Sequence, residues 1–136
     1  MSTLHSIQFF VALNFTAIGL SHFIQPKMWI EFFQYLHKKG KVGNIFNAML
    51  ALGMGTIILS FHFVWTWPML IVTLYGLAQV LKGIIYLTIP YVGLRSIGTV
   101  KNKLNKFRWA GLLMCCFGIL LIIKLIVEGA FQNIIH

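Results

Sequence analysis

The chain has 136 residues, 59% of them hydrophobic and only 10% charged, with a mean hydropathy of +0.86. Soluble domains carry about 25% charged residues, so this composition excludes folding in water and makes the bilayer the expected solvent, with room in one domain (1–136) for about four spans of ~20 residues. Eleven Lys and Arg stand against two acids, Glu31 and Glu128, for a net charge of +9; with no zinc-finger, recognition-helix or RNA-binding signature, this excess reads as basic membrane loops resting on anionic lipid and not as nucleic-acid binding.

The first apolar segment runs from about His5 to Ile24 and lacks the basic start and small-residue cleavage site of a signal peptide. Asn14, Ser21 and Gln25 share one side of it, with His22 nearby, and polar groups on a spanning helix are expected to face protein. Pro26 ends this helix and can open the next at its first turn. Residues 27–39 then read as an amphipathic helix, with Met28, Trp29, Phe32, Phe33 and Leu36 on one face and Lys27, Glu31, Gln34 and Lys38 opposite. It is too short to span and is expected to lie in the membrane interface, broken by Gly40 and Gly43.

The second span is placed at about 44–64, where Asn44, Asn47, Ala48, Ala51, Gly55 and His62 share a face and Ala51/Gly55 form a small-xxx-small pair. A four-residue link, Trp65 to Pro68, implies an antiparallel hairpin into the third span, 69–90. On that span Tyr75, Gln79, Lys82 and Tyr86 (i, i+4, i+7, i+11) form a polar stripe, and Gly76 and Gly83 form a smooth one. A basic segment, 91–107, follows, part of it with helical apolar spacing. The fourth span, about 108–127, has Gly111, Cys115 and Gly118 on a smooth face and Lys124 within reach of Glu128 at i+4. The adjacent Cys115 and Cys116 are poor disulfide partners and read as packing residues.

The loops after the first and third spans carry Lys27, Lys38, Lys39, Lys41, Arg95, Lys101, Lys103, Lys106 and Arg108, whereas the other connection and both ends carry none. The positive-inside bias puts these loops in the cytoplasm and the termini outside, and Trp29, Trp65, Trp67 and Trp109 then fall at interfaces. The expected architecture is an all-α integral membrane four-helix bundle with an interfacial amphipathic helix after the first span.

Lys82 has three fates open to it: its stem can snorkel to the cytoplasmic end, about 12 Å away; it can pair with Glu31 on the amphipathic helix; or it can line a pocket with Gln79, Tyr75, Tyr86, His22, Asn14 and Asn47. His22 and His62 sit at opposite ends, and no Cys/His/Asp/Glu cluster has ligand spacing, so no metal and no cofactor is expected. No Ser/His/Asp arrangement, phosphate loop or carboxylate pair is present.

His62, Trp65 and Pro68, followed by Thr73, Gly76, Lys82-Gly83 and Pro90, resemble a pattern in small four-span bacterial membrane proteins of unknown function. Gly19-Leu-Ser-His22-Phe-Ile-Gln-Pro26 looks like the first-helix ending of DoxX-like proteins. Either resemblance implies a four-helix bundle in a bacterial inner membrane, and together they point to His62, Trp65, Thr73, Gly76, Lys82, Gly83, His22 and Pro26. With no catalytic machinery and several smooth faces, the first expectation is an accessory or scaffold subunit packing on other membrane proteins or on itself. The alternative is a carrier or enzyme that binds a lipid, quinone or small solute around Lys82.

Overall fold

The structure, a computed structural model, describes residues 2–135, with side chains through Gly129. Six helices and no strand are found among them: α1 (Thr3–Ile24), α2 (Pro26–Lys38), α3 (Lys41–Phe61), α4 (Leu70–Thr88), α5 (Pro90–Gly98) and α6 (Leu104–Ile135), with a 3-10 turn at Thr99–Asn102. Four of them, α1, α3, α4 and α6, are long and apolar enough to cross a membrane. Their outward faces carry large exposed hydrophobics such as Leu113, Leu120, Ile126 and Met49. In water such a surface would aggregate; in hydrocarbon it is the surface a bundle presents to lipid.

The helix ends differ from the sequence-based bounds for local reasons. Gly40 is the residue that breaks the chain after α2, at φ +60°, a conformation that favours glycine. Gly43, expected to be a breaker, lies inside α3 and packs directly on the Leu36 backbone, where a Cβ has no room. The third helix leaves helical geometry at His62 and does not run on to Val64, so the connection to α4 is longer than four residues. Pro90 opens α5 at its first turn, and the basic segment becomes α5, the 3-10 turn and the first turns of α6. At ~1.5 Å per residue the 32 residues of α6 extend about 48 Å, well beyond a ~30 Å hydrocarbon core.

The bundle is built as two intimate pairs, α1 with α6 and α3 with α4, that touch each other far less. Glycine seams explain the intimacy. A Cβ on Gly19 would stand 2.5 Å from Cys115 N, one on Gly111 would meet His22 and Gly19, and one on Gly118 would meet Thr16. Across the other pair, Gly55 lies against Gly76 and Val80, Gly76 against Ile58, and Gly83 against Leu52. Small residues let backbones approach where no hydrophobic force pulls helices together.

The two pairs meet through one apolar core of Val11, Ala12, Phe15, Ile58, Met69, Val72 and Leu121. In sequence position these side chains belong to the half of the bundle remote from the basic segments. The basic half is closed instead by α2, which packs on α1, α3, α5 and α6. Its buried side includes Ile30 and Leu36, while Met28 is left exposed. Trp29, Phe32 and Phe33 are half-buried, so the covered edge of α2 differs from the expected apolar face by gaining Ile30 and losing Met28.

The expectation that Asn14 and Gln25 face the bundle is not met. The buried side of α1 is Ile7, Gln8, Val11, Ala12, Phe15 and Gly19. Asn14 sits about 100° round the helix from Phe15 and donates to the Phe10 carbonyl of its own helix (2.8 Å). Gln25 is exposed. A polar side chain that bonds its own helix needs no partner helix.

Candidate functional site

Away from the core, the two helix pairs leave a cavity of about 260 Å³. Its polar wall comes from α4, where Tyr75, Gln79 and Lys82 fall on one face as their helical spacing requires, and from Asn47 of α3. Its floor is aromatic: Trp29, Phe32 and Phe33 of α2. Ile18 of α1 and Leu50, Ala51 and Met54 of α3 complete the lining. Tyr75 stands between cavity and core, meeting Phe15 edge-on at 4.7 Å.

Every polar group at this wall can donate a hydrogen bond, and no carboxylate is among them. The Lys82 ammonium stands 5.6 Å from the centre of the Tyr86 ring, one turn along the helix, a cation–π contact. Among the described residues it makes no ion pair. Glu31 is exposed, and the ion pairs present are Lys124–Glu128 (3.0 Å), as its i, i+4 spacing suggests, and His5–Glu128 (4.0 Å). Asn47 is only 5% exposed, and its Nδ2 has no hydrogen-bond partner. A buried amide donor without a partner costs about 1–3 kcal/mol, so an acceptor brought to it would stabilise this wall.

The remaining candidates lie elsewhere. Tyr86 is outside the cavity lining, and its carbonyl accepts from Asn44 Nδ2 (2.8 Å). His22 lies behind the aromatic floor. Its ring stacks on Trp29 (4.1 Å between centres) and Phe107 (5.6 Å), and its Nδ1–H donates to the Ile18 carbonyl (2.8 Å). Trp29 in turn donates to Ser21 Oγ (2.9 Å). These contacts pin α2 to α1 and α6.

His62 and Thr73 form a separate polar knot at the opposite end of the bundle. The Thr73 hydroxyl donates to the Val64 carbonyl (2.8 Å) and accepts from Val64 N–H (3.1 Å). Its one proton is therefore committed, and the 3.2 Å contact with His62 must be Nδ1–H donating to it. Nε2 is then left to accept from Gln8 Nε2 (3.3 Å). This order makes the imidazole neutral. Replacing Thr73 by valine should lower stability by about 1–3 kcal/mol, because the buried His62 ring and two half-buried Val64 backbone groups lose their partner; thermal unfolding in detergent measures this, and an unmoved midpoint would contradict it. Gly76 and Gly83 serve the α3–α4 seam, and Trp65 is exposed against Phe63. Neither group lines the cavity.

Two features were not anticipated from sequence. The aromatic side of α2 turns onto the bundle as a floor, a role hinted at only by three aromatics in so short an amphipathic face. Gln8 is the partner of His62, and its signal was a lone amide in an apolar span. The smooth faces Ala51/Gly55, Gly76/Gly83 and Gly111/Cys115/Gly118 are all occupied within the chain. Among the described residues no group of three His, Cys, Asp or Glu could hold a metal. Comparison with protein-family models, with curated proteins and with solved structures finds no match.

Proposed function

We propose that this integral membrane protein binds an acidic amphiphile, a bilayer molecule whose carboxylate or phosphate group seats against Lys82, Gln79 and Asn47 while its chain lies along the aromatic floor. The observation that carries this reading is a cavity wall whose polar groups can all donate and which holds no carboxylate, with an ammonium lacking a counter-ion among the described residues and a buried Asn47 amide lacking a partner. In hydrocarbon, a lysine facing a protein cavity is by default a functional group. A neutral carbonyl compound would satisfy the amides but leave the ammonium uncompensated, so an anion is favoured over a quinone.

With the basic loops placed in the cytoplasm of a bacterial inner membrane, the cavity belongs to the inner leaflet and α2 lies in its interface. The absence of a nucleophile–base pair or a carboxylate dyad at the wall makes the protein a binder or carrier in this reading. An accessory-subunit role rests on smooth helix faces, and these are spent on internal packing, so it is not the role the geometry favours.

The test is photolabelling with a diazirine-bearing fatty acid in liposomes. Label should concentrate on the peptides carrying Phe32, Leu50 and Tyr75 and be displaced by unlabelled oleate. Uniform labelling of the lipid-facing side of α6, at Leu113 and Leu120, with no excess at the cavity, would refute the proposal.

A further inference from the structure

A second cleft, of about 290 Å³, lies between α2 and the α5 end with its 3-10 turn, lined by Gln34, His37, Lys38, Ile97, Gly98 and Lys101. Its charged side chains come from segments far apart in the chain. They are held together by His37 Nδ1–H donating to the Leu94 carbonyl (3.1 Å) and by Gly98, where a Cβ would stand 2.7 Å from the His37 ring. Ile97, 2% exposed, makes a firm base.

The electrostatics are one-sided. Lys38 and Lys101 border the same cleft, and no acid lines it. Glu31, on the polar side of α2, lies two turns before Lys38, about 10 Å along the axis, and makes no ion pair. Two ammonium groups sharing a cleft without a counter-charge repel each other, and a doubly charged anion between them converts that repulsion into attraction. Gln34 and Lys38 stand on the side of α2 opposite Leu36, so the cleft opens away from the apolar face and toward water. Gln34 adds an amide donor, and the exposed His37 ring, its Nδ1–H given to the Leu94 carbonyl, borders the same cleft.

We infer that this cleft binds a phosphate-type dianion, carried either by a small solute or by a lipid headgroup. It is independent of the Lys82 cavity, which shares none of its residues. The experiment uses the whole protein in zwitterionic nanodiscs at low salt, with labelled imidazoles, titrated with inorganic pyrophosphate. His37 should shift saturably. The double variant Lys38→Gln/Lys101→Gln should bind at least tenfold more weakly, while Lys41→Gln/Lys106→Gln, which removes the same charge outside the cleft, should keep its affinity. A second arm replaces part of the lipid with phosphatidic acid. A His37 shift before any pyrophosphate is added, reversed on titration, supports the site and assigns it to a lipid headgroup. No saturable shift in either arm, or equal weakening in the two double variants, overturns the inference.

Discussion

Lys82→Met is expected to weaken binding of an acidic amphiphile by about 10- to 100-fold while making the empty protein more stable. Methionine keeps an unbranched stem against the cavity wall and removes only the ammonium. A hydrogen bond to a charged group contributes about 1.5–3 kcal/mol, and each ~1.4 kcal/mol is tenfold in affinity. The stability change has the opposite sign because the ammonium has no counter-ion among the described residues, and a lysine costs about 2.5–3.5 kcal/mol at the centre of a span on insertion scales, an upper bound for Lys82 nearer the end of α4. Part of that is already offset by the Tyr86 ring. Equilibrium dialysis of oleate together with thermal unfolding in detergent reads both quantities. Affinity and stability falling together would mark Lys82 as a packing residue, and unchanged affinity would remove it from the binding wall.

Gly19→Val should force α1 off α6 and destabilise the bundle strongly. The added Cβ would stand 2.5 Å from Cys115 N and 2.7 Å from the Gly111 carbonyl oxygen. Both obstacles are backbone, so no rotamer change relieves them and one helix must move. Overpacking usually costs about 1–3 kcal/mol; here the displacement also opens the contacts at Gly111 and Gly118, so the upper end or beyond is expected. Gly53→Val is the matched control, since nothing lies within 4 Å of a Cβ there, and exchanging a helical glycine for the β-branched valine is neutral to favourable by only about 0.5 kcal/mol. Unfolding midpoints of the two variants should therefore diverge widely. Equal midpoints would show that the α1–α6 seam is looser than its geometry.

The spans were legible because apolar runs of this length have one physical solution in a membrane. The grouping of Tyr75, Gln79 and Lys82 was legible for a similar reason, as helical spacing alone puts them on one face. What could not be read was which face meets which. Asn14 and Phe15 differ by one residue and 100° of rotation, and only the position of α6 decides that Phe15 goes inward. Nor does composition distinguish a glycine stripe that waits for a partner from one already filled: Gly76 and Gly111 look alike in sequence to an open docking face. The aromatic side of α2 has the same ambiguity, since Phe32 and Phe33 suit lipid as well as they suit the floor of a cavity.

The pairing of α1 with α6 also dictates an order of events during synthesis. The α3–α4 hairpin is contiguous and can close as soon as its second helix enters the bilayer, whereas α1 must wait for the last span to emerge before its grooved side is covered. Loop-closure entropy delays contacts so distant in the chain. Until then Gly19, Thr16 and His22 face lipid, and the amphipathic α2, although α5 has already emerged, lacks Phe107 to rest on. The final helix is therefore the latch of the assembly: its arrival covers α1 and seats α2 in the same step.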